Sequence, residues 1–531
     1  MNFNISSMLN SQVYDHPVES IELIETHISW VILTGEFAYK IKKPVNFGFL
    51  DFSTLQKRKR YCEQELRLNR KLAPDIYLDV VSITGTYNNP LVGADGKAFE
   101  YAVKMKQFAQ SAQLDHMLEN EKLKLQHMDA LAHMVANFHQ TTEVAKDTEE
   151  YGSKNCVYQP VEENFKQISE HMDTEPYETK LLELMQWSRL EFDKREADFE
   201  QRKREGYIRE CHGDMHLRNL AWINNGPIAF DCIEFNPLLS WIDVISEVAF
   251  LVMDLQSRQQ YQLAHRFLNT YLEKTGDYAG LKVMPFYLCY RALVRAKVDS
   301  LRLEQQDITE EQRRQSYTEF ESYLELATRY TQRQAPKLVI MFGLSASGKS
   351  TVSQQITDAM GFIRIRSDVE RKRLFDVPLR DKASAEIDSG IISKNSVNTG
   401  IYSAQASQQT YAKLVDITKQ VIGAGYSVIV DAAFLTFDHR EIFQSLASRL
   451  GVTYIIIEVT APVEVLRQRI KDRKDNVTDA DIAVLEHQLS NWKPLHEDER
   501  SMTIKVNNEN SVEIDTLIGS IDCMYQSCES E

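Results

Sequence analysis

The chain has 531 residues, of which 43% are hydrophobic and 26% are charged, and its formal net charge is -16. A chain of this length exceeds what one ordinary hydrophobic core supports, so we expect two or three domains. The acidic balance argues against a protein that binds DNA or RNA irrespective of sequence, because that mode of binding needs a strongly basic surface.

The cysteines and the N-terminal segment predict a reduced, soluble protein. None of the seven cysteines forms a Cys-x-x-Cys pair or a Cys/His spacing typical of a metal site, so we interpret them as reduced thiols. Residues 1–20 lack a basic segment followed by an apolar one. No apolar run approaches the ~20 residues of a membrane span. We therefore expect a soluble, cytoplasmic protein that has no membrane partner.

The first part of the chain predicts a small mixed lobe followed by a larger helical lobe. Two short strands within 28–42 flank the turn at Thr34-Gly35. A charged helix is predicted at 53–72, and strands at 76–84 and 98–105. From Glu119 to about Gln334 the pattern is helical, and only the region from His212 to Asp231 interrupts it.

Pro336 marks the expected boundary between two domains. It ends a long polar helix pattern, because the residue before a proline is pushed out of the α region. The remainder alternates strands at 338–342, 362–366, 427–431 and 453–459 with helices at 349–359, 368–375, 438–450 and 462–472. This alternation predicts a parallel sheet with flanking helices. The expected domains are therefore 1–335, of the α+β class, and 336–531, of the α/β class.

The segment His212-Gly213-Asp214-Met215-His216-Leu217-Arg218-Asn219 places an aspartate five residues before an asparagine. A kinase catalytic loop has this spacing: the aspartate accepts or orients the proton of the acceptor hydroxyl and the asparagine binds Mg²⁺. Asp231 ends a short strand further on, where the second metal-binding aspartate of such a site is expected. We predict Asp214 as catalytic and Asn219 and Asp231 as metal ligands.

The His-Gly-Asp sequence, with Gly213 in place of the protein-kinase arginine, resembles the aminoglycoside and choline phosphotransferases. This resemblance implies a two-lobed, protein-kinase-like fold that binds ATP. Lys40, in Phe37-Ala-Tyr-Lys40, matches the strand lysine that contacts the ATP phosphates, and Glu65 matches its helix partner. Lys42 is an alternative to Lys40, because side chains two apart on a strand share a face. A Gly-x-Gly-x-x-Gly loop is missing; only Thr34-Gly35 marks the hairpin.

Four side chains near this motif are interpreted as structural. We expect His212 to order the catalytic loop by hydrogen bonding. Asp243 and Glu247, one turn apart on the next helix, are expected to support the loop. His139 is interpreted as a packed histidine at a helix end.

Gly343-Leu-Ser-Ala-Ser-Gly348-Lys349-Ser350 matches a P-loop, and the context fits because an apolar strand precedes it and a helix pattern follows. The glycines let backbone N–H groups face the phosphates. Lys349, which we also predict as catalytic, reaches the β- and γ-phosphates, and Ser350 offers its hydroxyl to Mg²⁺. The predicted nucleotide-binding residues of this loop are Gly343, Ser345, Ala346, Ser347, Gly348, Lys349, Ser350 and Thr351.

The residues around this loop resemble small P-loop kinases of the gluconate kinase, polynucleotide kinase and zeta-toxin type. In those enzymes an aspartate just after the second strand activates the acceptor hydroxyl, and the matching residue is Asp368. Asp431 ends the next strand and either holds Mg²⁺ or caps the strand end. Arg469 and Arg473 share a helix face and are expected to neutralise charge on the transferring phosphoryl group. Arg371 and Arg373 are either part of this basic set or a solvated helix face.

The leading hypothesis is a bifunctional phosphotransferase that uses ATP and Mg²⁺ twice. Each domain would transfer the γ-phosphoryl group to a hydroxyl of a small molecule. A second hypothesis makes one domain a nucleotide-sensing module that gates the other. A third makes the C-terminal domain a nucleic-acid end kinase, which ranks last because 22 Lys+Arg against 27 Asp+Glu give 336–531 a net charge of 22 - 27 = -5.

Overall fold

The structure is a computed structural model. It describes residues 4–46, 50–172, 174–303, 308–332, 334–377, 403–472, 482–490, 492–510 and 512–526. The chain divides into two compact units. The first comprises Met1–Arg258 with Phe286–Thr331, and the second comprises Gln259–Pro285 with Gln332–Glu531. The segment Gln259–Pro285, which precedes the boundary expected at 335, therefore groups with the second unit.

A six-stranded antiparallel sheet, in the order β1-β2-β3-β6-β4-β5, begins the first unit. Its strands are β1 (Glu22–Glu25), β2 (Ser29–Leu33), β3 (Phe37–Lys42), β4 (Tyr77–Thr86), β5 (Asn89–Val92) and β6 (Glu100–Lys106). Helix α1 (Leu55–Asn69) lies between β3 and β4 in the chain and is capped by the Thr54 side chain, which accepts from the Lys57 N–H.

Strand β3 shows how the period of two places side chains in this lobe. Tyr39 and Ile41 are fully buried in one apolar cluster. Lys40 and Lys42 alternate with them and therefore lie on the opposite face, where both contact Glu65 of α1. The short strand thus brings two cations to one helix carboxylate.

Helices form most of the rest of the first unit. They are α2 (Leu114–Glu119), α3 (Leu125–Thr141), α4 (Lys154–His171), α5 (Glu178–Arg204), α6 (Pro237–Ser240), α7 (Val244–Ser257), α9 (Met284–Leu303) and α10 (Glu310–Thr331). Two strand pairs interrupt them: β7 (Ile208–Glu210) with β10 (Trp241–Asp243), and β8 (Leu220–Ile223) with β9 (Gly226–Ala229). The mixed lobe and helical lobe predicted from the sequence are confirmed.

The second unit contains a five-stranded parallel sheet in the order β12-β13-β11-β14-β15. Its strands are β11 (Lys337–Phe342), β12 (Ile363–Arg366), β13 (Val428–Asp431), β14 (Thr453–Thr460) and β15 (Thr503–Asn507). The helices of this unit are α8 (Tyr261–Thr275), α11 (Lys349–Met360), α12 (Ser367–Leu374), α13 (Ala404–Gly423), α14 (Phe437–Leu450), α15 (Val463–Asp472), α16 (Ile482–Ser490) and α17 (Ile514–Gln526).

The central strand β11 is almost entirely buried, as expected of a parallel strand covered on both faces. The parallel sheet confirms the α/β class predicted for this part of the chain. Of the strands of this parallel sheet, β15 was not predicted from the sequence. Among the described residues, no helix combines the length and apolarity that crossing a bilayer requires.

Candidate active sites

The first candidate site lies on the loop from β7 to β8 in the first unit. Asp214 is partly exposed, and the Nδ2 of Asn219 donates to its main-chain oxygen and to its Oδ2, both at 3.0 Å. Asn219 itself is 8% exposed. The predicted catalytic aspartate and the predicted metal-binding asparagine therefore lie side by side.

Buried polar contacts fix the conformation of this loop. Glu247 of α7 accepts from the Gly213 N–H at 3.0 Å and lies 3.0 Å from the Nε2 of His139. Arg291 of α9 donates to the Gly213 main-chain oxygen at 3.1 Å. Burial opposes ionisation of Glu247, but His139 and His212 hold the pKa of its carboxyl below the ordinary value. Glu247 supports the loop directly, as the sequence predicts.

Gly213 is required by the loop geometry. Its φ is +87°, in the left-handed region, and a Cβ there would lie 2.7 Å from the Leu239 main-chain oxygen. The Nε2 of His212 forms a hydrogen bond with the Phe230 main-chain oxygen at 2.8 Å, which holds the loop against the residue that follows β9. Asp243 instead caps α7 and forms a buried ion pair with Arg202.

Basic side chains keep Asp214 ionised. Burial opposes this, but His216, with its Nε2 3.3 Å from Oδ2 of Asp214, His212 and Arg295 together hold the pKa of Asp214 well below its ordinary value. A carboxylate that is ionised and partly exposed can accept a hydrogen bond from a hydroxyl. The loop therefore carries an ionised hydrogen-bond acceptor at the position that the kinase pattern predicts.

Lys40 and Lys42 both contact Glu65 but differ in their second partner. Lys40 Nζ lies 2.9 Å from Glu65 Oε1 and also bonds to Asp231, whose side chain is 47% exposed. Lys42 is fully buried, lies 2.7 Å from Glu65 Oε2 and bonds to the buried Glu234. Only Lys40 therefore touches a group predicted to bind metal. Despite burial, the two lysines lower the pKa of Glu65 to about 2.

Asp231 lies just after β9 and has a φ of +66°. Its main-chain N–H donates a hydrogen bond to the Tyr77 hydroxyl at 3.1 Å. Glu234 was missed by the sequence analysis. Its signal in the sequence is weak, because only the spacing Asp231-x-x-Glu234 hints at a second carboxylate on the same turn. The carboxylate of Asp231 and the amide oxygen of Asn219 are groups that Mg²⁺ accepts as ligands, so these donors fit the ion.

The second candidate site is the loop between β11 and α11 in the second unit. A Cβ on Gly343, which has a φ of +151°, would lie 2.4 Å from the Val459 main-chain oxygen. A Cβ on Gly348, which has a φ of +96°, would lie 1.9 Å from Nδ2 of Asn508. Both positions therefore require glycine, and they give the loop the curled backbone that a phosphate cradle needs.

The polar groups of this loop fit a phosphate ligand. Lys349 Nζ donates to the main-chain oxygens of Gly343 and Leu344 at 2.9 and 2.8 Å, so the lysine folds over the loop. The Ser347 hydroxyl is buried and has no hydrogen-bond partner among the residues the structure describes. The other predicted residues line the same loop and the start of α11: Ser345, Ala346, Ser350 and Thr351, the last two being exposed.

Three side chains from other elements contact the loop. Arg469 of α15 has Nη1 3.4 Å from the main-chain oxygens of Ala346 and Ser347, and its Nη2 donates to Asn508 at 2.7 Å. Asn508 donates to the Ser347 oxygen at 2.8 Å, and Gln488 accepts from the Ser345 N–H at 2.8 Å. Asn508 and Gln488 were not predicted. Arg473 lies outside the described residues.

Two carboxylates follow neighbouring strands of the parallel sheet. Asp431, at the end of β13, is 6% exposed and accepts from the Ser353 hydroxyl at 3.2 Å. Asp368 lies in the first turn of α12, just after β12. Burial first, and the charge of Asp431 second, raise the pKa of Asp368. The carboxyl ends of adjacent parallel strands therefore bring these two groups near one another.

The neighbouring arginines are not a solvated helix face. Arg371 is 8% exposed, and its Nη1 lies 3.3 Å from the Ser407 hydroxyl. Arg373 bonds to Glu370 and to the main-chain oxygen of Glu273. Arg371 is therefore buried and Arg373 is half-buried, and both are held by polar partners.

Known proteins are similar either to one part of this chain or to most of its length. A family model described as an AAA domain matches residues 338–495, which include the P-loop. A protein of Mycobacterium tuberculosis, described as uncharacterized, is 28% identical over 488 residues, which are 91% of this chain and 93% of the relative.

Solved structures of two kinds are similar to different parts of the chain. A putative aminoglycoside phosphotransferase from Ralstonia eutropha is 13% identical, covers 62% of this chain and 98% of its own, and has a TM-score of 0.34. A gluconokinase from Sinorhizobium meliloti is 17% identical, covers 37% of this chain and 97% of its own, and has a TM-score of 0.25. The family match covers the P-loop that the sequence predicts.

Proposed function

We propose that the protein is a bifunctional, ATP- and Mg²⁺-dependent phosphotransferase that phosphorylates hydroxyl groups of small molecules at two sites. The observation that supports the proposal is that each compact unit contains its own set of residues predicted to take part in phosphotransfer. One set is Asp214, Asn219, Asp231 and Lys40, and the other is the P-loop with Asp368 and Asp431.

In the first unit, Asp214 orients the acceptor hydroxyl by accepting its hydrogen bond, and its low pKa keeps the carboxylate ionised for this role. Asn219 and Asp231 would hold Mg²⁺. Lys40 exchanges its bond to Asp231 for the α- and β-phosphates, while Glu65 keeps the lysine oriented. Lys42 remains buried between Glu65 and Glu234 and supports that orientation.

In the second unit, the P-loop N–H groups and Lys349 would bind the phosphates, and Ser350 and Asp431 would hold Mg²⁺. Arg469 already lies against the loop and stabilises charge on the transferring group. Asp368 accepts the proton of the second acceptor. Bound Mg²⁺·ATP supplies the γ-phosphoryl group and neutralises its oxygens at both sites.

The test is turnover with an acceptor panel. Purified protein is incubated with ATP, Mg²⁺ and sugars, sugar acids, aminoglycosides, amino alcohols or nucleotides, and ADP release is recorded for wild type, Asp214→Asn and Lys349→Ala. We expect one acceptor class whose turnover is lost only in Asp214→Asn and another whose turnover is lost only in Lys349→Ala. Loss of one acceptor's turnover in both variants would instead support a nucleotide-sensing module that gates a single kinase.

A further inference from the structure

Helix α8 covers β12, one of the two edge strands of the parallel sheet in the second unit. Asn269 of α8 donates its Nδ2 to the Phe362 main-chain oxygen at 3.0 Å, and its Oδ1 accepts from the Arg364 main-chain N–H at 2.8 Å. The side-chain amide therefore bonds to a main-chain oxygen and to a main-chain N–H at the sheet edge, as a neighbouring strand would. This contact fixes α8 against β12.

One turn along α8, Glu273 binds two arginines of β12. Its Oε1 accepts from Arg366 Nη1 at 2.7 Å, and its Oε2 accepts from Arg364 Nη2 at 3.2 Å. Burial opposes the charge on Glu273, but Arg364 and Arg366 hold the pKa of its carboxyl below the ordinary value. Arg373 of α12 donates to the Glu273 main-chain oxygen at 2.5 Å, so the backbone is held as well.

Arg366 binds Glu273 and is also a neighbour of the carboxylates of the P-loop site. It lies opposite Asp431 in the parallel pairing of β12 with β13, and Asp368 follows it by two residues. The nearby Arg364 donates to the Ser350 main-chain oxygen at 3.3 Å. The Arg366 side chain is 16% exposed, so a guanidinium that lost its partner there would pair with the nearest carboxylate, because a largely buried charge without a partner is costly.

We propose that Glu273 is a positioning residue of the P-loop site: it binds Arg366 and so keeps Asp431 and Asp368 free of that arginine. Asp431 then stays available to Mg²⁺, and Asp368 to the acceptor. The inference rests on the nucleotide-binding part of the proposed function. It assigns a role in that site to a helix that lies before Pro336 in the chain.

The test measures the Mg²⁺ requirement of nucleotide binding rather than turnover. Full-length chains carrying Lys40→Met, which weakens the first site, are titrated with Mg²⁺ in the presence of a fluorescent, non-hydrolysable ATP analogue. In Glu273→Gln we expect the Mg²⁺ concentration for half-maximal binding to rise about three- to tenfold, the size of coupling typical of contacting charged groups. Glu273→Asp, which keeps the charge, should restore most of the wild-type value.

The double variant Glu273→Gln/Arg366→Gln decides the mechanism. This variant has no Arg366 guanidinium left to pair with Asp431. The Mg²⁺ concentration that it needs for half-maximal nucleotide binding should therefore return to within about twofold of wild type, as a coupled pair predicts. A double variant that needs as much Mg²⁺ as Glu273→Gln would overturn the proposal, and so would an unchanged requirement in Glu273→Gln.

A matched control on the same helix is Arg266→Gln. Arg266 forms a 3.1 Å ion pair with Asp358, so its loss loosens α8 without touching Arg366. We expect a lower Tm and an unchanged Mg²⁺ requirement; an equal rise in the requirement would mean that Glu273 acts only through packing. Failure of the proposed phosphotransfer would give a different result from failure of this inference. It would abolish turnover with every acceptor, whereas the Mg²⁺ titrations would still distinguish the variants.

Discussion

Lys40 and Lys42 both contact Glu65, yet we expect their substitutions to have different effects. Lys40→Met removes the cation beside Asp231, while Lys42 still neutralises Glu65 and the exposed Asp231 stays hydrated. We expect the Asp214-dependent turnover to fall by at least about 100-fold, a typical loss for a group that stabilises phosphoryl charge, with little change in Tm. ADP release and thermal unfolding measure the two effects.

Lys42→Met should mainly destabilise the fold. It leaves the buried carboxylates of Glu65 and Glu234 without this partner, and breaking such a pair costs about 3–5 kcal/mol. Denaturant unfolding checks the free energy. A stable Lys42→Met that has lost turnover, beside an active Lys40→Met, would identify Lys42 as the ATP lysine.

Two arginines of α15 make a second residue-level comparison. Arg469 contacts the P-loop backbone, whereas Arg467 forms an exposed pair with Glu486. Arg469→Ala should lower the Lys349-dependent turnover by about 10²–10³-fold, as removal of one charge-stabilising donor does. Arg467→Ala should change it little, because exposed pairs contribute only ~0–1 kcal/mol. Equal kinetics in the two variants would remove Arg469 from the site.

At the scale of elements, α9 carries a buried carboxyl that should make stability depend on pH. Asp299 is 3% exposed, and burial raises its pKa from 3.8 to about 7. In the unfolded chain this group loses its proton near its ordinary value, whereas the folded chain retains it. Stability therefore falls as pH rises from about 4 to about 7, by at most ~4 kcal/mol from this group.

Asp299→Asn should remove that dependence. We expect the variant to gain stability relative to wild type between pH 4 and pH 7.5, measured as the difference in unfolding free energy by denaturant titration. Asp193→Asn on α5 is the control, because Asp193 is 45% exposed and its pair with Arg189 is a surface one. A difference for Asp299→Asn that stays constant over this pH range would contradict the argument.

The elements that the sequence predicts well are those with a strong local signal. The strand, loop and helix around Gly343 to Ser350 combine an apolar run with a motif, and the structure places them within a residue or two of the prediction. Strand β15 and helix α17 carry no motif and were not predicted. Glu273 and Asn508 were missed because their roles depend on contacts between segments far apart in the chain, which no local pattern records.

At the scale of the whole molecule, the two compact units do not correspond to two continuous segments of the chain. Helix α8 groups with the P-loop unit although α7 and α9, on either side of it, support the loop of Asp214. A chain cut at Pro336 would therefore leave the P-loop unit without Asn269 and Glu273. We expect a fragment beginning at residue 336 to be less stable and to bind nucleotide more weakly than the full chain.

The central claim is that one chain holds two nucleotide sites of different construction. The most direct measurement is the stoichiometry of a non-hydrolysable ATP analogue with Mg²⁺, by isothermal titration calorimetry, for wild type, Lys40→Met and Lys349→Ala. We predict two sites per chain in wild type and one in each variant, with the remaining affinity unchanged. A single site in wild type, lost in only one of the variants, would contradict the claim.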